Sequence, residues 1–311
     1  MNSVTSDSAA ERGGAVKIIF IASLSHSGST LLDLMLNAHP EVVSVGELKQ
    51  LGRFARQEKA SRRLRCTCGA DSILTCDFWT RVSELTEAAI GRTIAELNVE
   101  DYAETESFDR DNVALFQAIS AVAEKRYVVD SSKQVARLAR LLENPAFDVL
   151  PIFLLRNPKG QICSSRKIPV RLTKKQKTPT SLVRLIGNYV RTNREIYDLV
   201  KDRPYAMVRY EELVQSPESV LTSLMQAIGL TFDPCQLQWA KPARHNVGGN
   251  GMRRGSSSEL KLDERWRDHF TLPQKLAIDI GTLPGRYPLL RAQLTNPRRQ
   301  SPPKVHDGGS P

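Results

Sequence analysis

The chain has 311 residues, 41% of them hydrophobic and 25% charged, with a formal net charge of +10, an isoelectric point near 9.5 and a mean hydropathy of −0.33. No apolar run approaches the roughly 18 residues that span a membrane, and the opening MNSVTSDSAAERGGA lacks the apolar core of a signal peptide, so a cytoplasmic protein is expected. The positive charge asks for an anionic partner, but 6% aromatic residues give little to stack on single-stranded bases, and no zinc-finger, homeodomain, RNP or heptad pattern is present, which sets nucleic-acid binding aside.

Residues 1–15 read as a disordered lead-in and 293–311, rich in Pro, Arg, Ser and Gly, as a disordered tail, leaving one domain over 16–292. Ile18 to Ala22 is a continuous apolar run, the mark of a strand buried on both faces. Leu31, Leu32, Leu34, Met35 and Leu36 then form the apolar stripe of a helix. Between them Ser25-His26-Ser27-Gly28-Ser29-Thr30 is a turn of small residues whose N–H groups, with the helix N-terminus, can surround a phosphate. Measured against GxxxxGK[ST], Gly28 and Thr30 match, but Ser23 replaces the first Gly and Ser29 replaces the Lys. That Lys reaches the β- and γ-phosphates, so this cradle suits a ligand without a γ-phosphate.

The helix ends before Pro40, Glu41–Val45 runs extended toward Gly46-Glu47, and 48–57 is predicted helical. Cys66, Cys68 and Cys76 follow in RCTCGADSILTC. They form a C-x-C with a third cysteine eight residues on, without a C-x-x-C and without a nearby His, so no metal is expected. Free thiols or a disulfide in a loop are the readings that remain, and a cytoplasmic setting favours thiols. Helices over 77–90 and 110–124 complete a variable helical insertion spanning 61–124.

Tyr127–Asp130 is a second buried strand with Ser131-Ser132-Lys133 at its end, followed by a helix through Val135, Leu138, Leu141 and Leu142. Val149–Leu155 is a third strand and delivers Arg156, and the helix after it carries Ser164. A long helix over 181–200, a fourth strand over Ala206–Tyr210 and a further helix complete the pattern. Arg166, Lys167, Arg171, Lys174, Lys175 and Lys177 form a dense basic cluster that suits an anionic acceptor. Strands alternating with helices imply right-handed crossovers and an α/β, P-loop-like three-layer fold, a central parallel sheet flanked by helices. Ligands bind off the carboxyl ends of such strands, where the Ser25 turn, Lys133 and Arg156 all fall.

These pieces in this order resemble the sulfotransferases that use 3′-phosphoadenosine 5′-phosphosulfate (PAPS). SHSGSTLL is similar to the family's 5′-phosphosulfate loop, FLLRNPKGQICSSR to its 3′-phosphate motif, and MVRYEELVQSPESVLTSLMQAIGL to its late strand and helix. MRRG with ERWRDHF resembles the cofactor-covering loop and its Trp-containing partner. The resemblance implies that Ser25, His26, Ser27, Gly28, Ser29 and Thr30 hold the phosphosulfate, that Arg156 and Ser164 hold the 3′-phosphate, and that Arg254 and Gly255 close over it. It further implies that sulfonate passes to the hydroxyl of a small-molecule or carbohydrate acceptor by in-line displacement, with no metal required. Glu47, shortly after His39-Pro40, stands where tyrosylprotein and glycosaminoglycan sulfotransferases have a catalytic Glu, which implies a general base. His26 departs from the Arg or Lys of many members and is a second base, a charged donor or a tolerated loop residue; Lys133 can supply the cation at the leaving oxygen. The alternative is a P-loop nucleotide-dependent kinase with Asp130 holding magnesium, which would need the Lys that Ser29 replaces.

Overall fold

Strand β1 (Val16–Ala22) sends apolar side chains both ways: Ile18, Phe20 and Ala22 enter one core, Ile19 and Ile21 another. This computed structural model describes residues 15–56, 64–166 and 181–295. After β1 come α1 (Ser29–Asn37), β2 (Val42–Ser44), α2 (Leu51–Ala55), α3 (Asp77–Ile90), α4 (Thr105–Ala123) and β3 (Tyr127–Asp130). Then follow α5 (Val135–Glu143), β4 (Phe147–Leu155), α6 (Pro158–Arg166), α7 (Leu182–Val200), β5 (Ala206–Arg209), α8 (Tyr210–Gln215), α9 (Pro217–Ile228), α10 (Trp266–His269) and α11 (Leu272–Thr295). The strands form one parallel sheet in the order β2-β3-β1-β4-β5, with Ile18 of β1 in register with Val128 and Val149.

Helices cover both faces, giving the three layers the alternation implies. Phe54 of α2, Trp79 of α3, Phe108 and Phe116 of α4, Leu138 of α5 and Ile196 of α7 fill one core. On the other face α1, α8 and α9 pack with Leu32, Leu213 and Met225. No described helix is long and apolar enough to cross a membrane.

The departures from expectation have local causes. The 48–57 segment opens as a 3-10 turn, Leu48–Gln50, before α2. Helix α4 starts five residues before position 110, through a polar run whose one buried anchor is Phe108. Helix α11 was not foreseen, because Pro273, Gly281, Pro284 and Gly285 read as breakers. Two of them are packing devices: a Cβ on Gly281 would stand 2.8 Å from Ile186, and one on Gly285 2.9 Å from the Val190 backbone, so α11 and α7 meet closely. The 167–177 part of the basic cluster, residues 1–14 and residues 296–311 lie outside the described residues.

Arg137 ties the helical insertion to the sheet. Wholly buried, it donates from Nε to Asp130 at 2.6 Å, from Nη1 to the Val99 carbonyl at 2.8 Å and from Nη2 to Asn112 at 2.9 Å, over the Phe108 ring. Such a fully partnered buried pair is costly to break from one side. Arg137→Ala should therefore lower unfolding free energy by about 3–5 kcal/mol in urea titration, and a loss below about 1 kcal/mol would contradict this anchoring role.

Candidate active site

The turn after β1 is closely cradled. Gly28, at φ +93°, precedes the first residue of α1, and a Cβ there would lie 2.4 Å from the Tyr210 ring, so both backbone and space demand glycine. Arg156, at the end of β4, stacks its guanidinium on the same ring at 4.5 Å. Its Nη1 donates to the His26 carbonyl at 2.7 Å and to Ser164 Oγ at 3.3 Å, while Tyr189 OH holds its own carbonyl at 2.9 Å. Gln161 Nε2 donates to the Ser25 carbonyl at 3.0 Å. The carboxyl ends of β1, β4 and β5 thus converge on a cleft of about 1010 Å³, bounded by His26, Gly28, Arg156, Ser164 and Tyr210. Ser27 and Ser29 are buried in the turn, Thr30 half-buried and Ser25 exposed.

An anion already sits on the Arg156–Ser164 pair, and it belongs to the chain. Asp263 accepts from Arg156 Nη2 at 2.9 Å, from Ser164 Oγ at 3.4 Å and from Arg265 Nε at 2.6 Å. The Arg265 hydrogen bond first, and then that of Arg156, outweigh burial and hold the Asp263 carboxyl far below the usual range. Its carboxylate accepts from both members of the Arg156–Ser164 pair, and Arg156 Nε, also buried, has no hydrogen-bond partner. Nothing in the sequence patterns singled out Asp263, which lies 107 residues from Arg156.

Glu47, just beyond the end of β2, and Lys133 are not among the residues that line the cleft, but both lie within electrostatic reach of His26, which does. Gly46, at φ +82°, forms a parallel bridge with Val247; Glu47 N donates to the Val247 carbonyl at 2.7 Å and Val247 N to that of Val45 at 2.8 Å. Glu47 Oε1 pairs directly with Lys133 Nζ, and Oε2 accepts from Gln50 Nε2 at 2.8 Å. His26 and Lys133 both have positive φ, 69° and 66°, conformations that cost strain in non-glycine residues and gather at functional sites. Burial alone would raise the Glu47 pKa, but the charge and hydrogen bond of Lys133, with Gln50, bring it below its ordinary value. His26 moves down as well, through burial and then the Lys133 and Arg156 charges, which favours a neutral imidazole.

Behind Glu47 lies Asp33 of α1, absent from the sequence reading. It accepts from Ser44 Oγ at 2.5 Å and from Asn246 Nδ2 at 2.9 Å, and burial pushes its carboxyl up to about 6.

Arg254 and Gly255 do not line the cleft. Arg254 Nη2 donates to the Arg65 carbonyl at 2.9 Å, Gly255 follows a 3-10 turn over Gly251–Arg254, and only Asn250 and Met252 of that segment reach the cleft. Asp130, the magnesium residue of the kinase alternative, has both oxygens engaged, one by Arg137 and one by Ser132 N at 2.8 Å. The cysteine loop does have a histidine beside it: His245 Nδ1 is 3.2 Å from Cys76 Sγ, a proximity hidden by 169 residues of chain.

A parallel sheet with a small-residue turn and an arginine anion site at its carboxyl edge defines a P-loop-like α/β protein. The family model described as the sulfotransferase family matches residues 19–234, and the chain belongs to that family. In structure it is similar to the sulfotransferase domain of the Synechococcus PCC 7002 olefin synthase, with TM-score 0.59 and 23% identity over 90% of this chain and 96% of that one. It is also similar to the sulfotransferase domain from the curacin biosynthetic pathway, with TM-score 0.53 and 20% identity over 89% and 97%. No curated protein matches the chain.

Asp33 and Glu47 act oppositely on stability. Glu47, with its folded pKa depressed, contributes stability above its ordinary 4.5 and loses it as the pH falls further. Asp33, raised from 3.8 to about 6, contributes stability at low pH that is lost as the pH rises through that window. His26, lowered from 6.5, opposes Asp33 in the upper part of the window, so the comparison must be with a variant. Urea midpoints of wild type should fall relative to those of Asp33→Asn between pH 4.5 and 6; parallel curves would show that Asp33 titrates normally.

Proposed function

We propose that the chain is a PAPS-dependent sulfotransferase acting on a hydroxyl of a small-molecule or carbohydrate acceptor. The observation that carries this reading is the second anion site, Arg156 with Ser164, beside the small-residue cradle. A donor with a 3′-phosphate as well as a 5′-phosphosulfate needs two such sites, and an Arg fork with a serine hydroxyl suits a phosphate. Arg156 Nε without a partner, and a cradle that a Cβ on Gly28 would fill, are consistent with that ligand. Ser25, Ser27, Gly28, Ser29 and Thr30 would hold the phosphosulfate. Arg156 and Ser164 would hold the 3′-phosphate in place of Asp263, and Arg254 and Gly255 would join them only after the 251–255 turn moves.

When bound, PAPS supplies a sulfonate whose leaving group is adenosine 3′,5′-bisphosphate. Glu47 is the group to accept the acceptor's hydroxyl proton at a carboxylate oxygen, since Lys133 and Gln50 keep it ionised and fixed. Lys133 is the cation for charge developing on the leaving oxygen. A neutral His26 offers a hydrogen bond there rather than a charge, so Lys133 takes the part of the missing loop Arg or Lys. The kinase alternative is not favoured, because Asp130 is spent on Arg137 and Ser132.

Calorimetry separates these roles. Adenosine 3′,5′-bisphosphate should bind without magnesium, Arg156→Ala should weaken it about 10- to 100-fold, and Asp263→Ala should tighten it by removing the internal competitor. Magnesium-dependent binding of ATP with indifference to the bisphosphate would contradict the reading. For the base, Glu47→Gln should lower kcat by about 10²–10⁴ with little change in bisphosphate affinity; equal losses in both would make Glu47 a binding residue instead.

A further inference from the structure

Cys66, Cys68, Cys76 and His245 stand together outside the cleft, with all four donor atoms within 4.8 Å of one another. Cys66 Sγ is 3.6 Å and Cys68 Sγ 3.5 Å from Cys76 Sγ, and His245 Nδ1 is 3.2 Å from Cys76 Sγ and 3.8 Å from Cys66 Sγ. Zinc at its usual bond lengths, about 2.3 Å to sulfur and 2.0–2.1 Å to nitrogen, sets tetrahedral edges of about 3.8 Å between sulfurs and about 3.5 Å between sulfur and nitrogen. The sulfur–nitrogen separations fall either side of their edge, and the two sulfur–sulfur separations lie within about 0.3 Å below theirs. A disulfide needs sulfurs at about 2.05 Å, and all three cysteines here are free thiols. An iron–sulfur cluster, whose ligand sulfurs bind different irons, would spread them wider.

The surroundings are built for thiolates and for one imidazole orientation. The backbone N–H of Cys68 faces the Cys66 sulfur and that of Trp79 faces the Cys76 sulfur, donors of the kind that metal-bound sulfurs accept. Gly69, at φ +106°, closes the C-x-C turn by donating to the Cys66 carbonyl at 3.3 Å. The His245 ring stacks on Phe78 at 4.6 Å, Trp79 Nε1 donates to its carbonyl at 2.8 Å, and Asn246 N donates to Thr67 Oγ1 at 2.8 Å. Outer contacts of this kind fix a ligand ring toward its metal. Cys66 and Cys76 are buried, and Arg253 lies within electrostatic reach of Cys66, complementing the net negative charge of a zinc ion with three thiolates.

We propose that Cys66, Cys68, Cys76 and His245 form a closed, structural Cys₃His zinc site. The absence of a C-x-x-C pair and of a nearby histidine argued against a metal in the sequence; the chain meets the need with a ligand 169 residues downstream of Cys76. Four protein ligands leave no open position for catalysis. What the ion does is cross-link. It joins the 66–76 loop of the insertion to the strap whose Val247, two residues beyond the ligand, bridges Gly46 and accepts from Glu47 N. The same loop is tied a second time by Arg254 to Arg65. The site stands on its own; its bearing on Glu47 as a base rests on the proposed activity.

The test is elemental analysis of the full chain purified under reducing conditions, with no nucleotide involved. Wild type should carry about one zinc per chain, Cys66→Ser and Cys76→Ser should carry none, and His245→Ala should lose at least the 10- to 100-fold in affinity that outer-ligand changes cost. Because the variants can fail to fold, the wild-type protein exchanged into cobalt provides the second measurement. It should show the intense thiolate charge-transfer and d–d bands of a tetrahedral site. A reduced, folded chain that neither retains nor takes up zinc, a weak octahedral cobalt spectrum, or a Cys66–Cys76 disulfide by mass spectrometry would each overturn the proposal.

Discussion

A guanidinium buried where three strands end is the constraint around which the cleft is arranged. Arg156 is only 7% exposed, and a charge so placed must be paired and hydrogen-bonded or the site fails energetically. The Tyr210 face, the His26 carbonyl, Ser164 and the Asp263 carboxylate meet that requirement together. Three of the four belong to fixed elements of the fold. Asp263 belongs to an irregular segment between Gly255 and α10, and is the one partner that a phosphate could replace without disturbing the sheet.

The other half of the site is organised by the strap after His245. Its backbone extends the β2 end by a single bridge and thereby presents Glu47 to Lys133. Strain in the backbone of Lys133 and His26 persists because neighbours on both sides hold them, Glu47 on one and the Arg156 bond to the His26 carbonyl on the other. The helical insertion is therefore more than a variable ornament. It grips the sheet through Arg137 and the strap through the cysteine–histidine cluster.

Much of this was legible in the chain. The sheet could be read because β1, β3 and β4 are apolar on both faces, and Arg156 because it follows such a run directly. The Gly28 turn was legible as a cradle, but not its reason, since the Tyr210 ring that forbids a side chain lies far along the chain. Asp33, Asp263 and His245 were invisible for a common cause: each acts through a partner more than 100 residues away, Asn246, Arg156 and Cys76 in turn. Periodicity and local spacing carry no signal for such pairs. Helix α11 was hidden by Pro273 and Pro284 and by Gly281 and Gly285, the two glycines that its packing on α7 uses.

The central claim, that the Arg156–Ser164 pair is a phosphate site held by Asp263 until the donor arrives, is tested most directly by a crystal structure with adenosine 3′,5′-bisphosphate. The account predicts the 3′-phosphate on Arg156 and Ser164, the 5′-phosphate in the Ser25–Thr30 turn, and Asp263 displaced from the guanidinium. A bound nucleotide with the Arg156–Asp263 pair intact would contradict it.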